Sequence, residues 1–234
     1  MAARSLLNIR DDAKALLDID GDLFVSSTAQ IAMANLANRE VYRMIAQHAP
    51  SFLMETTTHT WPAGPSISLP TVLSAAPYQI VMMLETAAAG DISNTNRPWQ
   101  WFPQDTRDQR YTKYYQNGFL TGINLLTPKS PTHYFLEGDL MKALPIPVEN
   151  RFMHIIHIKQ PTVLSSDGNE VLNGKAEMFG DAVMYRLAML INTKQEGQNP
   201  MIGYMWQDAV ASIKKEGRRL IQRPRRVHTS GRQS

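Results

Sequence analysis

The chain has 234 residues, of which 43% are apolar and 19% are charged, and this is the composition of an ordinary globular protein. Because it contains no cysteine, disulfides and thiolate-bound metals are excluded. No apolar run has the length of a signal-peptide core or a membrane span, so we expect a soluble protein. The net charge of +3 is unevenly distributed: residues 213–234 hold eight Lys or Arg and one acid, which leaves −4 for the first 212 residues.

Two helices are predicted before residue 50. The first covers residues 6–19 and stops at Gly21. The second starts at an N-cap among residues 26–28, whose hydroxyl oxygens can accept from free backbone amides. It ends before Pro50, because the residue before a proline is pushed away from helical geometry. The spacing of three and four residues predicts its inner face: Ile31, Ala34, Asn38, Val41 and Ile45.

Residues 51–165 are predicted to be mainly β-structure. The run YQIVMMLET is a short apolar strand. HYFL and LMKAL form a hairpin around a turn in which Gly138 adopts a positive φ, and Pro145 and Pro147 end its pairing. Residues 152–159 alternate with a period of two, and both of their faces are partly apolar. We therefore expect this last strand to be central in its sheet or covered.

Helices resume near Asn173, where KAEMFGDAVMYRLAMLI is apolar on much of its circumference and should be buried between partners. Asn199 and Pro200 start a last helix, which Pro224 ends. The predicted fold class is therefore α+β. A helical core is made of residues 1–50 and 173–217, an antiparallel β-rich domain is inserted at 51–172, and an extended basic arm covers 218–234.

The sequence carries no catalytic or metal signature. His154 and His157 would point to opposite faces of a strand, so they cannot share a metal. The run from Asp18 resembles a calcium loop, but Ala29 stands at its twelfth position, where a bidentate Glu is needed. A GxSxG elbow, a phosphate loop and a GxGxxG fingerprint are all missing. We therefore predict no enzyme, no metal, no cofactor and no catalytic residue.

The polar stretch AAAGDISNTNRPWQWFPQDTRDQRY is predicted to be either a loop with its own aromatic cluster or a long hairpin tip. Aromatic and basic residues in this mixture can stack on single-stranded nucleic acid, but nearby acids dilute the positive field. The same residue types are also enriched in protein interfaces, and we favour that interpretation. The candidate contact residues are Trp99, Trp101, Phe102, Arg107 and Arg110.

The C-terminal sequence IKKEGRRLIQRPRRVHTSGRQS has three interpretations. It can be a solvated end without a function, an arm that neutralises nucleic-acid phosphates, or an arm that becomes ordered in an acidic groove of a partner protein. Apolar residues between the Arg pairs favour docking to a protein. The candidate docking residues are Arg218, Arg219, Leu220, Ile221, Arg223, Arg225 and Arg226.

Six pieces of the sequence follow one another in a recognisable order: AQIAMANLANREVYRMIAQ, TWPAGPSISLP, YQIVMMLE, SPTHYFLEGDLMKALPIP, FMHIIHIKQPTVL and AEMFGDAVMYRLAML. This order resembles that of the head–tail connector, or adaptor, proteins that tailed bacteriophages place beneath the portal ring. The resemblance covers residues 31–226. Tail-tube adaptors of short-tailed phages share the same plan of helices and β-structure, so both assignments stay open.

The resemblance implies a structural virion protein of the phage neck, assembled as a homo-oligomeric ring, commonly of twelve copies. Such a ring binds the portal protein and other neck or tail proteins, and it extends a channel through which the genome DNA passes without sequence-specific binding. The arm would insert into the portal and bring its arginines into that contact. The protein would lie at the head–tail junction of the virion, after assembly in the host cytoplasm, with no membrane partner. The alternative from another class is a nucleic-acid-binding protein that uses the basic tail and the Trp/Arg stretch.

Overall fold

The computed structural model describes residues 4–17, 25–75, 77–86, 95–101, 133–144, 147–194 and 199–221, and within them the fold class is α+β, as predicted. The helices are α1 (Leu6–Leu16), α2 (Ser27–His48), α3 (Leu69–Leu73), α4 (Gly180–Asn192) and α5 (Pro200–Ile221). The strands are β1 (Met54–Trp61), β2 (Ser66–Ser68), β3 (Gln79–Thr86), β4 (Thr95–Trp101), β5 (His133–Glu137), β6 (Leu140–Leu144) and β7 (Arg151–Ile158).

The chain divides into two compact units. Met1–Leu53 together with Pro161–Ser234 forms the helical unit, and Met54–Gln160 forms the β unit. The β unit is therefore inserted into the helical one. The second boundary comes earlier than the predicted position after residue 172.

Two asparagines of α2 explain the position of that boundary, because they hold residues 161–172 in the helical unit. The side chain of Asn35 donates to the backbone oxygen of Leu164 and accepts from its amide, each at 2.8 Å. The buried Asn38 accepts from the amide of Leu172 at 2.9 Å. Both leucine side chains are buried as well.

Serine side chains start the first two helices. Ser5 and Ser26 each accept from the backbone amide three residues later at 3.3 Å, and Ser26 belongs to the group in which the N-cap of α2 was predicted. α1 is shorter than predicted and ends before residue 19. At its end the Leu17 amide is shared between the carbonyls of Ala13 and Lys14, a three-centre bond that is common at helix termini.

α4 is the central helix of the helical unit, because α1, α2 and α5 all pack against it. It begins at Gly180, later than the predicted start near Asn173. The reason is a turn in which Leu172, Asn173 and Ala176 have φ values of 54°, 58° and 54°, a region that L-residues cannot use to continue a right-handed helix. Its inward side chains are fully or nearly fully buried: Val183, Leu187, Ala188 and Ile191.

The β unit contains one sheet with the strand order β1-β7-β3-β4-β5-β6-β2. β7 lies between β1 and β3 and is antiparallel to both, so the strand predicted to be central is central. β4 is an antiparallel neighbour of β3, and the loop interpretation is therefore wrong for Thr95–Trp101. β4 and β5 are parallel, and this pair departs from the otherwise antiparallel sheet. Residues 87–94 and 102–132 lie outside the described part of the chain.

The hairpin of β5 and β6 forms as its sequence predicts. Gly138, with φ of 60°, and Asp139 make the two-residue turn between the strands. Pro145 lies outside the described residues. One face of the sheet buries the core of the unit, which contains Trp61, Met83, Tyr134, Met141, Met153 and Ile155.

Candidate docking surface on the last helix

A pair of asparagines fixes the start of α5. Asn192, at the end of α4, donates to the backbone oxygen of Asn199 at 3.1 Å and accepts from its amide at 3.0 Å. The side chain of Asn199 in turn accepts from the Met201 amide at 3.0 Å. Pro200 occupies the first helical position, where no amide hydrogen is needed. The side chains of Asn192 and Asn199 therefore set the direction in which α5 starts.

The inner face of α5 is apolar and tightly packed. Ile202 and Ile213 are buried with 1% and 0% of their surface exposed. Gly217 lies against the backbone of His48, at the end of α2, so closely that a Cβ atom would overlap the His48 carbonyl. This contact holds the basic end of α5 against the helical unit.

A polar contact also joins three helices of the unit. Arg186 of α4 makes two hydrogen bonds to Glu40 of α2, at 2.5 Å from Nε and 3.3 Å from Nη2. The same guanidinium lies 5.5 Å from the ring centroid of Trp206 in α5, in cation–π contact. A planar guanidinium can serve a carboxylate and an aromatic ring at once, so Arg186 fixes the rotation of α5 about its axis.

The outward side of α5, here called the outer face, changes from apolar to basic along the helix. Near its start, Met201 and Tyr204 are 57% and 68% exposed. Residues 200–212 contain one acid and no cation, whereas residues 213–221 contain four cations and one acid. The exposed cations are Lys214, Lys215, Arg218 and Arg219. Cations are favoured near the C-terminal end of a helix by its dipole, and four of them on two turns also form a positive surface.

The structure places the predicted docking residues as follows. Arg218 and Arg219 are exposed on the last turn of α5, with Arg219 at 3.5 Å from Glu216, and they lie next to the two lysines. Leu220 and Ile221 continue the helix, so the first four residues assigned to an extended arm are helical. Arg223, Arg225 and Arg226 lie outside the described residues.

Two residues of the second predicted group are described, and both lie in the β unit. Trp99 and Trp101 belong to β4, where Trp99 is opposite Met83 of β3. Phe102, Arg107 and Arg110 are outside the described residues. The described members of the two candidate groups therefore lie in different units.

Met201 and Tyr204 were not among the residues predicted from the sequence to lie on a functional surface. Their spacing carries a signal, because residues 201, 204, 208, 211, 215 and 218 follow one another at three and four positions and are all exposed. An apolar residue on such a stripe can be predicted to be exposed only when the opposite side of the helix is known to be buried.

β7 carries two buried histidines. His154 and His157 lie on opposite faces of β7, as predicted, and are 3% and 1% exposed. Within the described residues no cluster of three or more potential ligands could hold a metal ion.

A half-open pocket of about 110 Å³ lies beside His154 and is lined by Thr58, His59, Thr60, Thr86, Phe152 and Met153. Typical small-molecule sites have volumes from roughly 300 Å³ upward. Its polar groups are hydroxyls and imidazoles, with no carboxylate among the lining residues. The outer face of α5 is therefore the stronger candidate for a functional surface.

Comparison with known proteins gives no relative: no protein-family model matches the chain, and no curated protein sequence is significantly similar to it. Among the described helices, none combines the length and the apolar character that crossing a bilayer requires. The fold and the surface define an α+β protein of two units, with a basic surface on α5, the last helix of the described residues.

Proposed function

We propose that the protein is a structural connector of a tailed-phage neck, which assembles as a ring beneath the portal and joins head to tail. The observation that carries the proposal is the outer face of α5, where Lys214, Lys215, Arg218 and Arg219 lead into a C-terminal sequence with four more arginines. A rigid helix that presents cations in fixed positions suits an acidic groove in a partner protein. The order of the sequence pieces, described above, supplies the phage context.

The inserted architecture and the charge distribution also support a connector. The helical unit offers the docking helix, and the inserted β unit supplies a second surface for neighbouring copies or for the next neck or tail protein. The first 212 residues carry a charge of −4, and negative charge beside a DNA channel lets DNA slide instead of binding. The tail-tube adaptor of a short-tailed phage is the finer alternative within this function.

The experiment is native mass spectrometry of the chain mixed with the portal protein from the same genome. We expect a ring of several copies, twelve in the commonest arrangement, bound to the portal. A variant with Gln at Lys214, Lys215, Arg218 and Arg219 should lose docking, and docking of the unaltered chain should weaken as salt rises. A mixture that never yields a complex would rule out portal docking.

A control removes three exposed cations elsewhere in the helical unit, one fewer than the α5 variant, with Gln at Arg39, Arg43 and Lys194. This variant should dock normally, and equal losses in both variants would mean that only total charge matters. Truncation of the arm is best made after Ile221, since ending the chain after Glu216 would also remove the packed Gly217.

Nucleic-acid binding is the second candidate, because the same four cations could neutralise phosphates. The two functions differ in the response to DNA: a phosphate-binding arm gives affinity for any duplex that falls steeply with salt. Fluorescence anisotropy with a labelled duplex at low and high salt distinguishes them. Strong DNA binding that is lost in the four-Gln variant would favour this candidate over the connector.

A further inference from the structure

The two edges of the sheet are built differently. β2, at one edge, has only three residues, with Pro65 directly before it and Pro70 two residues after it. Short edge strands and prolines are devices that prevent pairing with another chain. This edge is therefore protected.

β1, at the opposite edge, is long and has no proline inside it, and the one proline beside it, Pro62, follows its last residue. It has eight residues, contains no proline and no Lys or Arg, and pairs with β7 residue by residue without a bulge. Within the described part of the chain, β7 is its sole strand partner. Three threonines of one face, Thr56, Thr58 and Thr60, are exposed. A long, regular edge strand with β-branched residues is a template for a further strand.

We propose that a second copy of this chain pairs with β1 through its own β1, antiparallel and about a two-fold axis. The partner edge must be β1 again, because β2 is blocked and a head-to-tail contact would need a second open edge. The result is one continuous sheet across two copies.

The sequence of β1 is complementary to itself in this arrangement. With Thr58 opposite Thr58 of the second copy, Thr56 lies opposite Thr60, and such Thr–Thr pairs are favourable across strands. On the other face Glu55 lies opposite Trp61, so no two like charges meet. Glu55 already has an ion pair with Lys159 at 2.6 Å. The register therefore brings no unpaired charge into the contact.

The contact is small and should be reversible. A stable interface buries at least about 1,200 Å² in total, and two edge strands of eight residues fall short of that. We expect a monomer–dimer equilibrium that depends on protein concentration. This dimer does not rest on the neck function, and it would form in the free chain before any docking.

The first test is sedimentation equilibrium of the full chain over a wide concentration range. We expect a dimer that Thr58→Lys weakens several-fold, because two lysines would then lie directly opposite each other. Thr71→Lys, an exposed position of α3 in the same unit, is the control and should dimerise normally. Circular dichroism establishes that both variants are folded. A chain that stays monomeric at every concentration, or a dimer unaffected by Thr58→Lys, overturns the proposal.

The second test concerns the register. Residues 56 and 60 of one copy are about 13 Å apart along the strand, so they interact little with each other, but each lies opposite the other in the second copy. The variant Thr56→Lys with Thr60→Glu creates two opposite-charge pairs, whereas Thr56→Lys with Thr60→Lys creates two like-charge pairs. The dimer of the Lys/Glu variant should be roughly tenfold tighter than that of the Lys/Lys variant. Equal dimerisation constants would contradict the antiparallel β1 contact.

Discussion

Gly217 lies where α5 crosses the end of α2, and the crossing depends on its missing side chain. We predict that Gly217→Ala destabilises the helical unit by about 1–3 kcal/mol, because the added methyl overlaps a backbone carbonyl that cannot move aside easily. Alanine is otherwise the better helix former by about 1 kcal/mol. A loss of stability would therefore show that the close contact with His48 outweighs the gain in helix propensity. Urea denaturation measures the free energy of unfolding.

Gly203 is the matched control for this prediction. It lies in the same helix, and an added Cβ there would have no atom within 4 Å. Gly203→Ala should therefore stabilise the protein by about 0.5–1 kcal/mol. Stabilisation by both substitutions would contradict the close approach of α5 to His48.

His59 of β1 gives the β unit a dependence on pH. Burial lowers the pKa of His59 from its usual value of 6.5, because desolvation disfavours the charged imidazolium. The unfolded chain then binds the proton more readily, so this contribution to stability is present above pH 6.5 and is lost as the pH falls through that value toward the lower pKa of the folded state. The stability of the wild type relative to His59→Gln should fall on acidification. An NMR titration of the folded protein with a His59 midpoint at or above 6.5 would contradict it.

At the scale of single elements, most of the β unit could be predicted from the sequence, whereas the connections between the helices were predicted less well. The hairpin of β5 and β6 and the central position of β7 follow from local turn chemistry and from apolar residues on both faces. For the stretch that contains β4, the sequence did not decide between a loop and a long hairpin tip, because the pairing of β4 with β3 and β5 is a tertiary property. In the candidate site, the basic residues were predictable, whereas the exposure of Tyr204 depends on which side of α5 is buried.

The segment between β7 and α4 was assigned to the wrong unit because side chains distant in sequence hold it. Asn38, on α2, accepts from the Leu172 amide, although the two residues are 134 positions apart. Asn38 was counted among the apolar inner face of its helix, where periodicity alone cannot distinguish a packing residue from a hydrogen-bonding one.

The same contact gives a prediction at the scale of the element. Asn38→Ala should cost about 1–3 kcal/mol, because it leaves the amide of the buried Leu172 without its partner. Asn8→Ala, at an exposed position of α1, should change stability by no more than about 0.5 kcal/mol. Thermal or urea unfolding compares the two. Hydrogen exchange at Leu172 should also accelerate in Asn38→Ala, and unchanged protection there would show that the bond contributes nothing.

For the whole molecule, the proposals assign different contacts to the two units. In these proposals the outer face of α5 in the helical unit would bind a partner protein, and the edge strand β1 of the β unit would bind a second copy. The forces also differ: the first contact is largely electrostatic and weakens with salt, whereas the second consists of backbone hydrogen bonds and threonine pairs that salt affects little.

This division predicts that the two activities are separable. Thr58→Lys should weaken the dimer and leave portal docking intact, and the four-Gln variant of α5 should do the reverse, since substitutions without shared partners act independently. The variant that combines all five substitutions should show both the weaker dimer and the loss of docking. Sedimentation equilibrium and native mass spectrometry on the same four proteins measure the two activities. If Thr58→Lys also prevents docking, β1 is part of the partner contact, and the free-chain dimer then competes with assembly.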